Sequence, residues 1–254
     1  MFILTLVVDR PGIYLREIKN ELKAELGIDV TESALCVFLH KAGFTRQRLK
    51  HYAIQRDEEL RAKFVEDMSL FNPEMFIFLD DTGTDHRDTL RAKGYSIRGK
   101  PAKKQQLLVR GVHVSVLCTM SMEGILSCKL VRGSVDGDVF CEFIEESLMP
   151  KLMQFNGSNP RSIIIMDNCS IHHTSNVAQL LQETGALVYW LPPYSPDMNP
   201  IEEMFSKAKS VMKAMEIEMQ AINDIDTIVY SAFSTITSHD SEGWIADSGI
   251  YGLH

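Results

Sequence analysis

Two short hydrophobic runs, each followed by an aspartate, restrict the fold of this chain more than any other feature. Residues 75–79 read Met-Phe-Ile-Phe-Leu before Asp80, and residues 163–166 read Ile-Ile-Ile-Met before Asp167. Short apolar runs rich in β-branched and aromatic residues predict buried strands. Burying a carboxylate costs on the order of several kcal/mol unless a cation or hydrogen-bond donors compensate. An acid at the end of a buried strand therefore indicates chemistry rather than packing.

The segments around these runs predict an α/β domain. After residue 74 the predicted order is strand, strand, strand, helix, strand, helix, strand, helix, which gives a mixed sheet covered by helices. The strands are predicted at 75–79, 107–120, 125–131, 163–166 and 186–191, and the helices at 136–153, 175–183, from Pro200 onward and at 223–236. The last residues, 238–254, are predicted to be irregular.

The N-terminal region has the layout of a helix-turn-helix unit. Apolar residues at helical spacing predict an amphipathic helix over 14–26, closed by Gly27. A second helix follows Thr31, its N-cap, and ends at Gly43. Helix, short glycine turn and capped helix also describe a plain αα-hairpin, so the spacing leaves both open. Residues 2–9 fit either a helix or a strand.

A basic stretch follows these helices and predicts contacts with DNA phosphates. The candidate cations, two of them in a later glycine-punctuated loop, are Lys41, Arg46, Arg48, Lys50, Arg98 and Lys100. The net charge of −8 argues against wholesale non-specific affinity for nucleic acid but permits a local basic face. A run of charges is also commonly no more than a solvated surface, and that alternative stays open.

Cysteine usage and hydropathy indicate an intracellular globular protein. The cysteines show no CxxC spacing and are predicted to be buried thiols in a reducing compartment: Cys36, Cys118, Cys128, Cys141 and Cys169. No apolar run reaches the length of a membrane span. The apolar opening lacks the basic start and the cleavage site of a signal peptide.

Three acids are candidates for one metal site. Ends of neighbouring strands in an α/β sheet share one crevice, so Asp80 and Asp167 face each other if the first and fourth strands are neighbours. Glu202, in the first turn of a helix, can reach the same crevice. Three carboxylates repel one another unless cations lie between them, and hard oxygen ligands suit Mg²⁺ or Mn²⁺. Two such ions roughly 3.5–4 Å apart are the known arrangement for in-line attack on a phosphodiester.

Each acid also has an ordinary structural explanation. Asp80 and Asp167 each fit an Asx turn, and Glu202 with Asn199 fits a capping-box-like helix start. We expect a single metal site rather than three separate structural explanations, because the acids stand at matching positions. Asp81 alternates to the other face of its strand.

Two histidines, His172 and His173, follow Asp167 closely enough to approach the site. Adjacent histidines are poor evidence for zinc, so neither is assigned a role as a metal ligand.

Four motifs of this chain resemble the catalytic core of mariner-superfamily transposases, which are grouped as DDE superfamily endonucleases. The motifs read FIFLDDTG, GYSIRGKP, IIIMDNCSIHH and LPPYSPDMNPIEEMFSKAK. Between Asp167 and Glu202 lie 34 residues, the spacing of the branch whose third acid is Glu. The N-terminal helices are similar to the second helix-turn-helix of the paired-like DNA-binding region in these enzymes.

The resemblance implies an RNase H-like fold in which Asp80, Asp167 and Glu202 are the catalytic, metal-binding acids. It implies cut-and-paste transposition: cleavage of DNA at transposon ends, dependent on Mg²⁺ or Mn²⁺ with two ions, and transfer of the 3′-hydroxyl into target DNA. Members usually act on double-stranded DNA as dimers or higher assemblies. The expected location is the nucleus if the source is eukaryotic, with no membrane partner.

The resemblance also sets the expected domains. They are a helix-turn-helix DNA-binding domain at 1–52, a helical linker at 53–73, an RNase H-like DDE catalytic domain at 74–237 and a C-terminal tail at 238–254. Family members carry a further helix-turn-helix unit in front, so the chain is expected to be N-terminally truncated. They also carry Glu where this chain has Asp81, with little effect expected because Asp81 points away from the site.

Two other functions compete with a transposase. One is a catalytically inactive, transposon-derived DNA-binding protein, which the short N-terminus suggests and the intact acids oppose. The other is a cellular RNase H-like nuclease, which the helix-turn-helix front disfavours.

Overall fold

The structure is a computed structural model that describes residues 1–47, 49, 56–84, 95–103, 113–215 and 225–250. The chain divides into two compact units, Met1–Ala53 and Ile54–His254. Two of the predicted DNA contacts, Arg48 and Lys50, and the predicted strand residues 107–112 lie outside the described residues.

The described part of the first unit contains three helices. They are α1 (Phe2–Asp9), α2 (Leu15–Leu26) and α3 (Glu32–Lys41). As predicted, Gly27 ends α2 in the left-handed conformation, with φ of 65°. The Thr31 hydroxyl caps α3 by accepting the Ala34 N–H at 3.2 Å. A small core of Ile18, Leu22 and Leu35 holds the unit together, and residues 2–9 prove to be helical.

The second unit consists of a sheet and the helices around it. The strands are β1 (Phe76–Thr84), β2 (Val114–Ser121), β3 (Gly124–Arg132), β4 (Ile163–Met166) and β5 (Leu187–Trp190). The helices are α4 (Glu58–Met68), α5 (Gly137–Phe143), α6 (Ser175–Glu183), α7 (Pro200–Ala214), α8 (Ile225–Phe233) and α9 (Ser238–Asp247). Within the described part of the chain, no helix combines the length and apolar character that a membrane crossing requires.

The sheet has the order β3-β2-β1-β4-β5. Strands β1, β2 and β3 pair antiparallel, whereas β4 pairs parallel with both β1 and β5. Parallel neighbours need a crossover, and the segment with α5 and the one with α6 supply the two crossovers. The predicted mixed sheet covered by helices is confirmed.

Alternating residues of β1 divide the core into two layers. Phe76 and Phe78 pack with apolar residues of α4, α7, α8 and α9. Ile77 and Leu79 pack on the opposite face against α5 and α6. Because side chains alternate along a strand, each residue that follows Leu79 is assigned to one of these two faces.

The structure corrects two boundaries predicted from sequence. Strand β1 does not end at its acids but continues to Thr84, because β2 pairs with it from Phe78 through Thr84. Residues 238–247, predicted to be irregular, form α9, whose N-cap Thr237 makes a capping box with Asp240. The side chain of Ile245 anchors α9 in the core.

The structure also corrects the prediction of buried, unpaired thiols. Cys118 and Cys128 form a disulfide, although no CxxC spacing links them. The two residues stand directly opposite each other on β2 and β3, with their Cα atoms 4.2 Å apart. Cys36 is free but exposed rather than buried.

Candidate active site

The first two acids follow adjacent parallel strands. The register of β1 and β4 ends with Leu79 beside Met166, so Asp80 and Asp167 are the next residues along each strand. The strand neighbourhood on which the predicted site depended is therefore present. Alternation places Asp80 on the face of Phe78, which is the face that α7 covers.

Asp80 is buried, with 9% of its surface exposed. Its Oδ1 accepts the backbone N–H of Asp81 at 2.8 Å, and its Oδ2 accepts Nδ2 of Asn199 at 2.8 Å. Burial, followed by the negative charges of Asp167 and Glu202, raises the pKa of Asp80 to about 8. The three predicted acids thus interact electrostatically across one site.

Glu202 enters this site from the first turn of α7, and its side chain remains exposed. Desolvation by the surrounding protein raises the pKa of Glu202, Lys209 opposes that shift, and Asp167 adds to it. The start of α7 has no side-chain capping bond, so the capping-box-like explanation for Glu202 is not realised. The carboxylate of Glu202 is therefore available for another role.

Asp167 is about half exposed and is oriented by its own segment. Its Oδ1 accepts the Cys169 N–H at 3.3 Å, so the Asx-turn explanation holds for Asp167. The same oxygen lies 2.9 Å from Nδ1 of His172, and the Asp167 carbonyl oxygen lies 3.2 Å from that nitrogen. Because both of these oxygens are acceptors, Nδ1 of His172 carries the hydrogen and donates a hydrogen bond to Asp167.

His172 is a buried aromatic support beneath Asp167. Its ring stacks on Phe140 with centroids 4.4 Å apart and lies nearly parallel to Trp190 at 6.5 Å. Only 2% of His172 is exposed, and its Nε2 has no hydrogen-bond partner among the described residues. The sequence placed His172 near the site, and the structure shows that it holds Asp167.

Asp81 belongs to the opposite face of β1. Its pKa is raised by burial, lowered by His172 and raised by Asp167. The side chain is therefore within electrostatic reach of His172, on the layer that contains Phe140. The charge of Asp81 also adds to the raised pKa values of Asp80 and Glu202, so Asp81 lies within electrostatic reach of these acids.

The carboxylates fit a divalent cation by their chemistry. Among the described residues, no group of three or more His, Cys, Asp or Glu side chains is drawn close enough together to hold a metal ion. Burial is the largest cause of the raised pKa values of Asp80 and Glu202, and repulsion from Asp167 adds to it in both. A cation among the three acids would favour their ionised forms. Carboxylate oxygens are the ligands that Mg²⁺ and Mn²⁺ prefer.

The predicted DNA contacts that the structure describes are exposed. Lys41 ends α3 and Arg46 follows it in the first unit, while Arg98 and Lys100 lie in a turn of the second. The Lys100 N–H closes that turn on the Ile97 carbonyl oxygen at 2.8 Å. Their contact with DNA stays a prediction.

Sequence reasoning missed two contacts that position the site. Asn199 binds Asp80, and Arg61 of α4 binds Asp197 with two parallel bonds of 3.1 and 2.8 Å. Arg56 adds a third contact to Asp197 at 3.4 Å. The available signal was the place of Asn199 three residues before Glu202, which suggested a helix cap instead.

Comparison with known proteins identifies the family. The family model described as DDE superfamily endonuclease matches residues 75–225, and one described as winged helix-turn helix matches residues 12–68. The first match spans more than half of the chain, so the chain belongs to the DDE superfamily endonucleases. No curated protein sequence matches it significantly.

Solved structures identify the fold more narrowly. The Mos1 transposase paired-end complex with the left transposon end is 17% identical, with a TM-score of 0.63 over 99% of this chain and 79% of that one. The Mos1 strand transfer complex is 18% identical, with a TM-score of 0.61 over 99% and 78%. The mariner Mos1 paired-end complex with Mg is 15% identical, with a TM-score of 0.61 over 99% and 79%. The predicted DDE superfamily endonuclease family is confirmed, and the fold is similar to that of the Mos1 transposase.

Proposed function

We propose that this DDE endonuclease cuts DNA at the ends of a transposable element and joins the freed 3′-hydroxyl to target DNA. The observation that carries the proposal is that Asp80 and Asp167 directly follow the last paired residues of the adjacent strands β1 and β4. Glu202, in the first turn of α7, is near enough for its charge to raise the pKa of Asp80. Such a cluster is costly to keep without a cation, which favours a catalytic role over a structural one.

Asp80, Asp167 and Glu202 would hold Mg²⁺ or Mn²⁺, with two ions in the cleaving state. The chemistry that bound ions supply is Lewis-acid activation of the attacking hydroxyl and stabilisation of the leaving oxygen. Asp80 must lose the proton that burial favours before it becomes a ligand. His172 keeps one oxygen of Asp167 oriented by its donated hydrogen bond.

Double-stranded DNA is the proposed partner, bound through the helix-turn-helix unit and the exposed cations. Lys41, Arg46, Arg98 and Lys100 would contact phosphates, because exposed Lys and Arg supply most of the sequence-independent affinity for DNA. The paired-end and strand-transfer complexes of Mos1 support a homodimer or higher assembly on paired ends. Action on genomic DNA places the protein in the nucleus if the source is eukaryotic.

The direct test is nicking of supercoiled DNA by the purified chain with Mn²⁺ or Mg²⁺. Asp80→Asn, Asp167→Asn and Glu202→Gln should each abolish nicking, whereas Glu203→Gln, an exposed neighbour of the same type, should leave it unchanged. Metal-independent DNA binding without nicking would support the inactive DNA-binding alternative. Preferential cleavage of RNA–DNA hybrids would support a cellular nuclease instead.

A further inference from the structure

The side chain of Asn199 is not used as its position in the chain would suggest. Asn199 occupies the N-cap position of α7, where Asn ordinarily accepts an N–H of the first turn. Here α7 has no such side-chain bond. Instead, Nδ2 of Asn199 donates to Oδ2 of Asp80 at 2.8 Å, joining residues 119 positions apart.

The burial of Asn199 is difficult to explain by a purely structural role. Asn199 is only 3% exposed, and its Oδ1 has no hydrogen-bond partner among the described residues. An unpaired buried amide oxygen destabilises a fold, because the oxygen has lost its hydrogen bonds to water without replacing them. An apolar side chain of similar size would avoid that cost, so the bond to Asp80 is the feature that explains an amide here.

Asn199 also links two of the proposed metal ligands. With the Asp81 N–H on Oδ1 and Asn199 on Oδ2, both oxygens of the Asp80 carboxylate have a fixed donor. The backbone carbonyl oxygen of Asn199 accepts the N–H of Glu202 at 3.1 Å. One residue therefore ties the acid on β1 to the helical turn that presents Glu202.

The turn that carries Asn199 is held from its other side. The Asn199 N–H donates to the Pro196 carbonyl oxygen at 3.0 Å, which closes the short 3-10 turn Pro196–Met198. Within that turn, Asp197 receives the two-pronged bond from Arg61 of α4. The amide of Asn199 therefore reaches Asp80 from a fixed backbone.

We propose that Asn199 is a positioning residue, which orients Asp80 and the start of α7 so that Asp80 and Glu202 bind a divalent ion together. This inference rests on the proposed function, since it takes these acids as metal ligands. Hydrogen-bond partners outside the ligand shell typically change metal affinity by about 10–100-fold. Asn199 makes no contact with the metal or the DNA in this role.

The test is calorimetric titration of Mn²⁺ into the metal-free full-length chain. Asn199→Leu keeps the branched shape and the number of heavy atoms of the side chain and removes the donor, and Asn199→Ala is the second variant. Both should bind Mn²⁺ about tenfold more weakly. Asn199→Leu removes the unpaired Oδ1 of Asn199 but leaves Oδ2 of Asp80 without its donor, so the melting temperature of the metal-free variant serves only to check that it is folded. Asn176→Ala, at an exposed asparagine in the first turn of α6, should bind like the wild type.

The outcomes separate this inference from the proposed function. Mn²⁺ affinity within twofold of wild type in folded Asn199→Leu, or failure of both variants to fold, would overturn the positioning role. Wild-type nicking together with unchanged binding in Asn199→Leu contradicts the inference alone. Wild-type Mn²⁺ binding that depends on Asp80 but supports no nicking contradicts the proposed function alone. A wild-type chain that binds no Mn²⁺ overturns both.

Discussion

The two strand acids of the site differ in burial and in the side chain that binds them. Asp80 is buried and accepts one hydrogen bond from the backbone and one from Asn199. Asp167 is half exposed and accepts one hydrogen bond from the backbone of Cys169 and one from His172. Burial raises the pKa of Asp80 to about 8. The difference indicates that the ionisation of Asp80 depends on the charges around it. The orientation of Asp167 depends instead on His172, whose ring is stacked on Phe140.

The largest effect should come from removing either carboxylate. Because a partner outside the ligand shell typically contributes about 10–100-fold, loss of a ligand should exceed about 100-fold. Asp80→Asn and Asp167→Asn should therefore both reduce nicking of supercoiled DNA by more than that factor. Nicking that survives in one of the two variants would show that the two acids do not share one site.

Removing His172, which donates a hydrogen bond to Asp167, should have a smaller effect than removing a carboxylate, and the effect should appear in the affinity for Mn²⁺. His172→Leu eliminates the donor at Nδ1 and should weaken Mn²⁺ affinity by about 10–100-fold. His172→Asn places an amide donor near the position of Nδ1 and should recover part of that loss. Equal Mn²⁺ affinity in the two variants would assign His172 to packing against Phe140 alone.

The metal-free stability should distinguish the two acids by its pH dependence. The folded-state pKa of Asp80, about 8, lies above its ordinary value of 3.8, so the folded chain binds a proton that the unfolded chain releases. Stability should therefore fall as the pH rises from about 4 to about 8. Asp80→Asn should raise the melting temperature above that of the wild type by more at pH 8 than at pH 5. The difference should be about 2–4 °C for each kcal/mol of stability recovered.

Asp167→Asn is the control for that measurement, in chelator-treated protein. It removes one charge that raises the pKa of Asp80 but leaves the buried carboxyl of Asp80 in place, so it should flatten the pH dependence less than Asp80→Asn does. Identical pH profiles for wild type and Asp80→Asn would contradict the burial of a proton-binding carboxyl at this position.

The smallest effect should come from the contact that fixes the turn before Asn199. Arg61→Ala removes the two hydrogen bonds that the guanidinium donates to Asp197. Because the Arg61 side chain is only 12% exposed, the change should lower the free energy of unfolding by about 1–3 kcal/mol. Arg132→Ala breaks a pair with Asp226 whose arginine is 63% exposed and should cost less than about 1 kcal/mol. Urea denaturation of both variants measures the two losses in the free energy of unfolding. Equal losses would contradict a stabilising role for the bond between Arg61 and the turn.

Local patterns in the sequence predicted the strands and helices near the acids because those patterns are strong. The runs before Asp80 and Asp167 are buried on both faces of the sheet, so they read as continuous apolar segments. Glycine and threonine marked the end of α2 and the start of α3 for conformational reasons that act within a few residues. The same local reasoning placed Glu202 in the first turn of α7.

Apart from α9, whose capping box is local, the errors concern choices that distant residues decide. Asn199 could cap α7 or bind Asp80, and its sequence neighbours favour the cap. The pairing of Cys118 with Cys128 depends on the register of β2 and β3. The extension of β1 to Thr84 depends on β2, which lies far along the chain.

We propose that Asp80, Asp167 and Glu202 form one metal site. Anomalous diffraction from crystals of the full-length chain soaked in Mn²⁺ tests this directly. We expect manganese peaks bound by the carboxylates of Asp80, Asp167 and Glu202, with Asn199 still donating to Asp80. Manganese bound elsewhere, or peaks that contact Asp167 without Asp80, would contradict a shared metal site.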